Sequence, residues 1–398
     1  MKKLAIVGKG TVGSLAIGNF LKDTDWEIDW IFDSNAPTTA VGEGTTAVVP
    51  AILWECFGWT WNDLHDIHST VKTGIHKVNW GKKNKTFTHP FPTYVSGIHF
   101  NAIEFQEKVF KTISNNPRVN VIDKLVTDPH ELDADHVLVC SGTPKDFSEY
   151  NIHNNIPVNS AYVTQCYWDN PRFDHTLTIA RPYGWVFGIP LLNRCSIGYL
   201  YNKEITKLED VKEDVKNIFK EYNLEPSNVT NSLSFKNYSR KKNFTNKVVY
   251  NGNASFFLEP LEATSTTQAY YVNRNAYALW NGLHGLNEAE TMFKSDLSSI
   301  ESMICLHYMA GSQFENEFWK YAQELGQNKI KTEIKNKTIF IENLIHAMDK
   351  NYEKQILDIG TWPRWSYDFN TEHLGITDEL KKMTAGLKME MLLKNSNF

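Results

Sequence analysis

The first 33 residues alternate between apolar runs and a stretch with helical periodicity. Residues 4–7 form a continuous apolar run that is typical of a buried parallel strand. Residues 14–22 place apolar side chains at helical spacing, and residues 26–33 form a second strand-like segment that ends on an acid. This order predicts a β-α-β unit at the start of a doubly wound sheet, and hence the α/β class.

Later segments extend this sheet and add a second layer. Residues 120–122 and, more strongly, residues 135–142 are predicted to be further strands of the nucleotide-binding sheet. Residues 161–200 are rich in Val, Ile, Thr, Tyr and Trp, which predicts antiparallel strands. A helix is predicted over residues 208–221, and the pattern is mostly helical after Gln268, ending in an amphipathic helix with a basic face at residues 378–394.

A glycine pattern lies between the first strand and the first helix. Gly8, Gly10 and Gly13 form GxGxxG in the strand-turn-helix context in which this motif binds a dinucleotide. The glycines allow a tight turn, close approach of the pyrophosphate and close helix packing, and the phosphates meet free N–H groups at the helix start. Asp33 follows Gly13 by 20 residues and can accept a hydrogen bond from a ribose hydroxyl. The alternative is a purely structural glycine turn.

The motif alone does not separate NAD from FAD. A second strand that ends in small residues, at residues 139–142 with Gly142 last, favours FAD, because two-layer flavoproteins close the nucleotide site with such a late strand. An ordinary exit from a strand into a turn is the alternative interpretation of that segment. We see no second nucleotide fingerprint for NAD(P)H.

Composition narrows the function classes. The formal net charge of −5 leaves no basic excess for nucleic-acid phosphates. The five cysteines are scattered without a CxxC, which argues against a disulfide framework and against a metal site, and is typical of a reduced compartment. We expect no membrane span and no signal peptide, because the N-terminal apolar run is too short, and therefore a cytoplasmic protein.

Two segments in the first quarter of the chain resemble motifs of the flavin-dependent halogenases of the tryptophan-halogenase type. Residues 41–46, with the sequence VGEGTT, are similar to that family's Gly-Val-Gly-Glu-Ser/Ala-Thr segment. Residues 71–80, VKTGIHKVNW, are similar to its Phe-Lys-x-Gly/Ala-Ile-x-Phe-x-x-Trp segment, which bears the catalytic lysine.

Two further segments follow in the family's order. Residues 184–191, GWVFGIPL, with GYLY at 198–201, resemble the Gly-Trp-x-Trp-x-Ile-Pro motif and the strand after it. Residues 257–264, FLEPLEAT, differ at one position from Phe-Leu-Glu-Pro-Leu-Glu-Ser-Thr and are the most specific match. A weaker similarity, His307-Tyr308 with Phe318-Trp319, extends into the helical part, and the compact length resembles phage-type members.

The resemblance implies a two-layer fold like that of the FAD-dependent monooxygenases. A Rossmann-type FAD-binding sheet and a substrate-binding sheet would be interleaved over residues 1–270, and residues 271–398 would form a mainly helical part that covers the substrate site. It implies an FADH2-dependent halogenase that uses O2 and chloride, bromide or iodide to make hypohalous acid. A separate NAD(P)H-dependent flavin reductase would supply FADH2, a small electron-rich aromatic would be the substrate, and a homo-oligomer is compatible with the sequence.

The resemblance also implies roles for the two ionisable residues of these motifs. Lys72 would be the catalytic lysine that holds the halogen against the substrate, and Glu262 the catalytic glutamate. Without the family, Lys72 in apolar company is either a surface lysine or an amine with a lowered pKa. Glu262 is likewise either a helix N-terminal cap or a buried acid-base group. The sequence after Glu262 predicts that a helix begins near Thr264, which would make an anion site.

Further positions take roles by the same resemblance. Thr264 and Ser265 would give backbone N–H groups to the halide, and Trp185 would guard the flavin and suppress monooxygenation. Glu43, within the VGEGTT segment, is expected to lie at the cofactor. His99 and Phe100 fall on the substrate side, although core packing is the preferred interpretation for Phe100.

Departures from the family's motifs concern the substrate. Phe187 replaces the second Trp of the third motif, Gly188 replaces a larger residue, Ala263 replaces Ser, and Ser265 replaces Gly. These changes leave the flavin chemistry in place but indicate a differently shaped pocket, suited to phenols, indoles or heteroaryls. A flavin-dependent aromatic hydroxylase of the same fold is the alternative function, and a non-catalytic flavin-binding protein is the second alternative.

Overall fold

The computed structural model describes residues 2–37, 43–92, 94–351 and 362–395. In these ranges the strands are β1 Lys3–Val7, β2 Glu27–Phe32, β3 Thr70–Lys72, β4 Gly74–Val78, β5 Thr86–Pro90, β6 Gly97–His99, β7 Val119–Asp123, β8 His136–Val139, β9 Tyr150–Ile152, β10 Ser160–Tyr167, β11 Thr176–Arg181, β12 Gly184–Pro190, β13 Arg194–Tyr201, β14 Pro226–Ser234, β15 Tyr238–Arg240, β16 Val248–Tyr250 and β17 Phe256–Phe257.

The helices follow the same chain order and dominate the second half. They are α1 Thr11–Asp23, α2 Val49–Phe57, α3 Trp61–His65, α4 Ala102–Ile113, α5 Leu208–Glu221, α6 Ser265–Trp280, α7 Leu286–Ala310, α8 Glu317–Asn336, α9 Ile339–Met348, α10 Arg364–Leu374 and α11 Thr377–Asn395. Short 3₁₀ turns lie at Pro129–Glu131 and Gly252–Ala254.

The predicted β-α-β unit is present and opens a parallel sheet. Within the described ranges this sheet has the order β16-β8-β1-β2-β7, and its neighbouring strands all run parallel. The strands predicted at residues 120–122 and 135–142 are β7 and β8, as expected. Leu4, Ala5 and Ile6 of β1 alternate between the two faces and are all buried, because a parallel sheet is covered on both faces. The carboxyl ends of β1, β2 and β8 therefore share one edge.

The second layer is a mainly antiparallel sheet built from the insertions. In the described chain its order is β14-β10-β13-β12-β11-β4-β5, with β4 and β11 paired in parallel. The antiparallel strands predicted within residues 161–200 are β10 to β13. A short antiparallel pair, β3 with β6, comes from the same part of the chain as β4 and β5 and sets Lys72 opposite Gly97.

The helical part begins where the sequence predicted. α6 starts at Ser265 with Thr264 as its N-cap residue, and α5 matches the predicted helix over residues 208–221. The long helix α7 is buried along most of its length and brings His307 into the protein interior. The described elements confirm the α/β class with a parallel sheet, further sheets and a helical C-terminal part. The division at residue 270 stays a prediction, and it falls inside α6.

The structure also bears on the expectations about disulfides and membrane spans. All five cysteines are free thiols, and all but Cys56 are buried. Among the residues that the structure describes, no helix combines the length and the apolar character of a membrane span.

Candidate active site

The glycine turn after β1 forms a cradle with open space at its centre. Gly8 adopts φ +115°, and a Cβ on Gly13 would lie 2.1 Å from the Gly8 carbonyl oxygen, so both positions require glycine. Nothing lies within 4 Å of a Cβ built on Gly10. Trp30 of β2 donates from Nε1 to the Gly8 carbonyl at 3.1 Å and fixes the turn. α1 begins without a side-chain cap, so its first N–H groups face this space.

The neighbouring strand ends contribute to the same edge. Asp33 follows β2, where its Oδ1 accepts from the backbone of Asn35 at 2.9 Å. Cys140 donates from its backbone N–H to the Val7 carbonyl at 2.7 Å, which holds the end of β8 beside the glycine turn. A Cβ added to Gly142 would meet no atom within 4 Å, so the chain there also borders open space. The three predicted elements of the nucleotide site are thus side by side.

Glu43 lies in a buried ion pair. Its carboxylate accepts from Arg194 at 2.5 Å and from Ser196 Oγ at 2.8 Å, which ties the VGEGTT segment to β13. Its backbone carbonyl accepts from the Phe100 N–H at 2.9 Å. Val41 and Gly42 of this segment lie outside the described residues. The predicted cofactor role of Glu43 stays a prediction.

Lys72 is fully buried at the end of β3. Its Nζ has no hydrogen-bond partner within the described chain and lies 5.5 Å from the Phe91 ring centroid. Burial lowers the pKa of Lys72 to about 7, with Glu262 opposing and Lys77 reinforcing that shift. A charged ammonium without an acceptor in such surroundings is costly. The amine is therefore available in its neutral form near neutral pH.

A second buried lysine holds the carboxylate of Glu262. Lys77 Nζ donates to Glu262 Oε1 at 2.6 Å, to Asn370 Oδ1 at 3.2 Å and to His307 Nε2. His307 Nδ1 faces the Met303 carbonyl at 2.8 Å, so Nδ1 carries the proton and Nε2 is an acceptor. Burial tends to raise the pKa of Glu262, but the charge of Lys77 is the largest of the opposing effects, and the pKa is held well below its usual range.

Three groups of this cluster, Lys72, Lys77 and His89, come from the consecutive strands β3, β4 and β5. Lys72 and Lys77 lie on consecutive strands, β3 and β4, separated by Thr73, which donates its N–H to the Asp174 carbonyl at 2.7 Å. Gly74 opens β4, where a Cβ would lie 2.4 Å from the His89 carbonyl oxygen. Only glycine therefore lets β4 pair this closely with β5. His89 of β5 is buried beside the cluster, where burial lowers its pKa to about 3.

The segment after β17 positions Glu262 just before a helix N-terminus. Ala263 adopts φ +53°, which turns the chain from the Glu262 loop into α6. Thr264 is the N-cap residue without a side-chain cap, so N–H groups of the first turn, including that of Ser265, are free to bind an anion. The buried Thr266 Oγ1 in this turn has no partner among the described residues. The predicted halide site is thus compatible with the local geometry.

Trp185 is fully buried on β12. Its Nε1 donates to Glu259 Oε2 at 3.0 Å, and its ring centroid lies 6.3 Å from that of Trp80. Burial raises the pKa of Glu259 to about 8, which favours the protonated form of this acid at neutral pH. The pKa values of the two glutamates of the FLEPLEAT segment are therefore shifted in opposite directions. The role of Trp185 as a guard of the flavin stays a prediction.

The two predicted substrate-side residues lie in different surroundings. His99, at the end of β6, is fully buried between Thr70 Oγ1 at 3.1 Å and Thr176 Oγ1 at 2.9 Å. Burial holds the pKa of His99 well below its usual range. Phe100 is 1% exposed and packs on Phe105 with ring centroids 4.8 Å apart. The preferred interpretation of Phe100 as a core residue agrees with this packing.

Comparison with known proteins places this arrangement in a family. The sequence model for tryptophan halogenase matches residues 3–115 and 101–356. The chain belongs to the tryptophan halogenase family.

The curated relatives in this family share low sequence identity with this chain. Tryptophan 7-halogenase RebH from Lentzea aerocolonigenes is 28% identical over 215 residues, which are 48% of this chain and 39% of RebH. Alignments with the curated relatives span 29% to 39% of those proteins' length.

Solved structures share the fold over nearly the whole chain. MibH, a tryptophan 5-halogenase, has a TM-score of 0.77 at 14% identity and covers 97% of this chain and 90% of its own. A tryptophan halogenase from Shewanella frigidimarina NCIMB 400 has a TM-score of 0.73 at 17% identity. The match covers 100% of this chain and 95% of that protein. These structures confirm the predicted flavin-halogenase-like fold.

Several residues of this halogenase-family site are not indicated by the sequence motifs. Lys77 and Asn370 carry no motif signal of their own, and Glu259 matches the FLEPLEAT motif without a role assigned to it. Each of the three acquires its partner only in the folded chain. His307 belongs to the weak His307-Tyr308 similarity, which does not indicate its contact with the lysine cluster. One signal could have found Lys77, because the family's pattern has Phe at its position.

The glycine cradle predicts two different effects of adding one methyl group. Gly13→Ala should destabilise the protein by about 1–3 kcal/mol, because its Cβ meets backbone rather than a flexible side chain. Gly10→Ala should leave the melting temperature unchanged but weaken FAD binding, because the methyl group enters the space that the pyrophosphate needs. Thermal unfolding and FAD titration check both. Unchanged FAD affinity in Gly10→Ala would remove the cradle from the cofactor site.

Burial of Lys72 predicts that its loss stabilises the fold. The folded-state pKa of about 7 lies below the usual 10.5, so stability rises with pH between these values in the wild type. Lys72→Met should therefore raise the melting temperature at pH 6, with a smaller gain at pH 9. Lys329→Met is the matched control, since Lys329 pairs with Glu301 and Glu333 and its loss should lower the melting temperature. If Lys72→Met does not raise the melting temperature at pH 6, burial of the Lys72 amine does not destabilise the fold, and the prediction is wrong.

Proposed function

We propose that the protein is a flavin-dependent halogenase that halogenates a small, electron-rich aromatic substrate at Lys72. The observation that carries this proposal is the buried Lys72 amine without a hydrogen-bond partner in the described chain, coupled to the Glu262 carboxylate. Family membership and the open glycine cradle support it. Bound as FADH2, the flavin would supply hypohalous acid from O2 and a halide.

The residues of the cradle fit a dinucleotide. Gly8, Gly10 and Gly13 would place backbone N–H groups of α1 at the pyrophosphate, and Asp33 would accept from the ribose. Glu43 would hold its segment at the cofactor through Arg194, with Gly142 at the neighbouring strand end. The first turn of α6, at Thr264 and Ser265, would bind chloride, bromide or iodide through its free N–H groups.

The neutral amine of Lys72 can accept halogen from hypohalous acid. The nitrogen lone pair forms an N–X bond while the O–X bond breaks, and the oxygen leaves as water with one proton from the amine. A ring carbon of the substrate then takes the halogen, and the N–X electron pair remains on nitrogen. The ring proton passes to the Glu262 carboxylate and from there to the nitrogen, so that both the carboxylate and the amine are restored.

The two sites must be kept apart for this chemistry. Trp185, anchored by Glu259, would keep the organic substrate from the flavin and thereby suppress oxygenation. Phe187 and Gly188 make this wall differ from the family pattern, which supports phenols, indoles or heteroaryls as substrates. His99 would border the substrate side. We further propose that a separate NAD(P)H-dependent flavin reductase supplies FADH2, because the sequence carries one nucleotide fingerprint.

The test is an assay that contains purified protein, FAD, NADH, a flavin reductase, bromide and a panel of aromatic compounds. Mass spectrometry should detect a brominated product. Lys72→Met should lower product formation about 100-fold or more while flavin oxidation continues, because it removes the reactive nitrogen. Omitting the reductase should stop the reaction. A bromide-independent product heavier by one oxygen would instead identify a hydroxylase. Oxygen consumption no faster than that of free FADH2 would identify a non-catalytic flavin-binding protein.

The pH dependence reports which form of Lys72 reacts. Because the neutral amine is the nucleophile and its pKa is about 7, kcat/KM for bromination of an indole should rise with pH and level off above about 7. The amine is protonated below that pH and its lone pair is blocked. A rate that falls as the pH rises through 7 would show that the ammonium form is required.

A further inference from the structure

Two buried lysines lie in the cluster around Glu262, but only one of them forms an ion pair with the Glu262 carboxylate. Lys72 and Lys77 are both fully buried, and both feel the charge of Glu262. Only Lys77 is in contact with it, at 2.6 Å between Nζ and Oε1. The lysine that carries the motif is thus the one without a partner in the described chain.

The surroundings of Lys77 match an ammonium group. A lysine ammonium has three N–H donors and no acceptor. Lys77 meets three acceptors, which are the Glu262 carboxylate, the Asn370 side-chain carbonyl and the Nε2 lone pair of His307. Asn370 is oriented by its own donation from Nδ2 to the Ser366 carbonyl at 3.0 Å, which turns its oxygen toward Lys77. Burial lowers the pKa of Lys77, and the charge and hydrogen bond of Glu262 oppose that shift. The three acceptors therefore favour the ammonium form of Lys77.

We propose that Lys77 is a positioning residue that holds Glu262 as a carboxylate and thereby leaves the Lys72 amine free to accept halogen. The charge of Glu262 raises the pKa of Lys72, and an ion pair between the two would keep the Lys72 amine protonated. Lys77 binds the Glu262 carboxylate, and the positive charge of Lys77 also disfavours a second positive charge on Lys72. This inference rests on the proposed function, because it assigns the origin of the reactivity of Lys72.

Other titratable groups around the cluster do not replace Lys77. His307 on α7 is kept neutral, since burial lowers its pKa to about 4, and His89 on β5 is neutral for the same reason. His99 on β6 is also neutral, because burial lowers its pKa well below its usual value. Lys77 is therefore the cation that faces both Glu262 and Lys72 from β4.

The test is the pH profile of bromination in Lys77→Met. Losing Lys77 removes a like charge and releases Glu262 to pair with Lys72, so both effects raise the pKa of Lys72. The midpoint of the kcat/KM profile should move up by about 1–3 pH units, with a large loss of rate at pH 6.5 and recovery only above the new midpoint. Lys77→Phe, which restores the family's residue, removes the same charge with another shape and should give the same shift.

Two control variants separate charge from packing. Lys77→Arg keeps the cation and should keep the wild-type midpoint. Lys329→Met loses a buried ion-paired lysine on α8 and should lower the melting temperature without moving the midpoint. A wild-type midpoint in Lys77→Met or Lys77→Phe, or a downward shift, would overturn the inference while wild-type bromination still stands. Absence of bromination by the wild type would instead overturn the proposed function.

Discussion

The contact between Lys77 and Glu262 is the interaction on which the rest of the site depends. It brings together β4 and the loop before α6, two segments separated by 185 residues. Because the pair is fully buried, it is tolerable only with every remaining donor satisfied, and His307 and Asn370 supply the two missing acceptors. The long buried helix α7 and helix α10 are thus fixed to the second sheet at one point.

This arrangement gives two buried lysines of one cluster different surroundings. Lys77 has three acceptors and Lys72 has none in the described chain, although a single residue, Thr73, separates their strands. The two glutamates of the FLEPLEAT segment differ in the same way, since Glu262 faces a cation and Glu259 faces Trp185. Opposite protonation of neighbouring groups of one type is a common basis of acid-base function in active sites.

The parts of the structure that depend on local pattern could be predicted from the sequence. The glycine cradle, β8 and the start of α6 follow from short runs whose spacing fixes their conformation. The motifs also drew attention to Lys72 and Glu262, whose catalytic roles stay predictions. They could not identify Lys77 as the partner of Glu262, because that contact and those of Asn370 depend on chain folding over 185 and 293 residues. Nor could they show that the pKa of Glu259 is raised, since that shift depends on burial.

The most direct test of this account is the protonation of the two lysines in the resting protein. Lysine side chains labelled with ¹³C and ¹⁵N, assigned with Lys72→Arg and Lys77→Arg, can be titrated by NMR. We expect the Lys72 signal to titrate with a midpoint near 7. The Lys77 signal should remain that of an ammonium group throughout that transition. A Lys72 amine that stays protonated to pH 10, or a Lys77 that loses its proton first, would contradict the account.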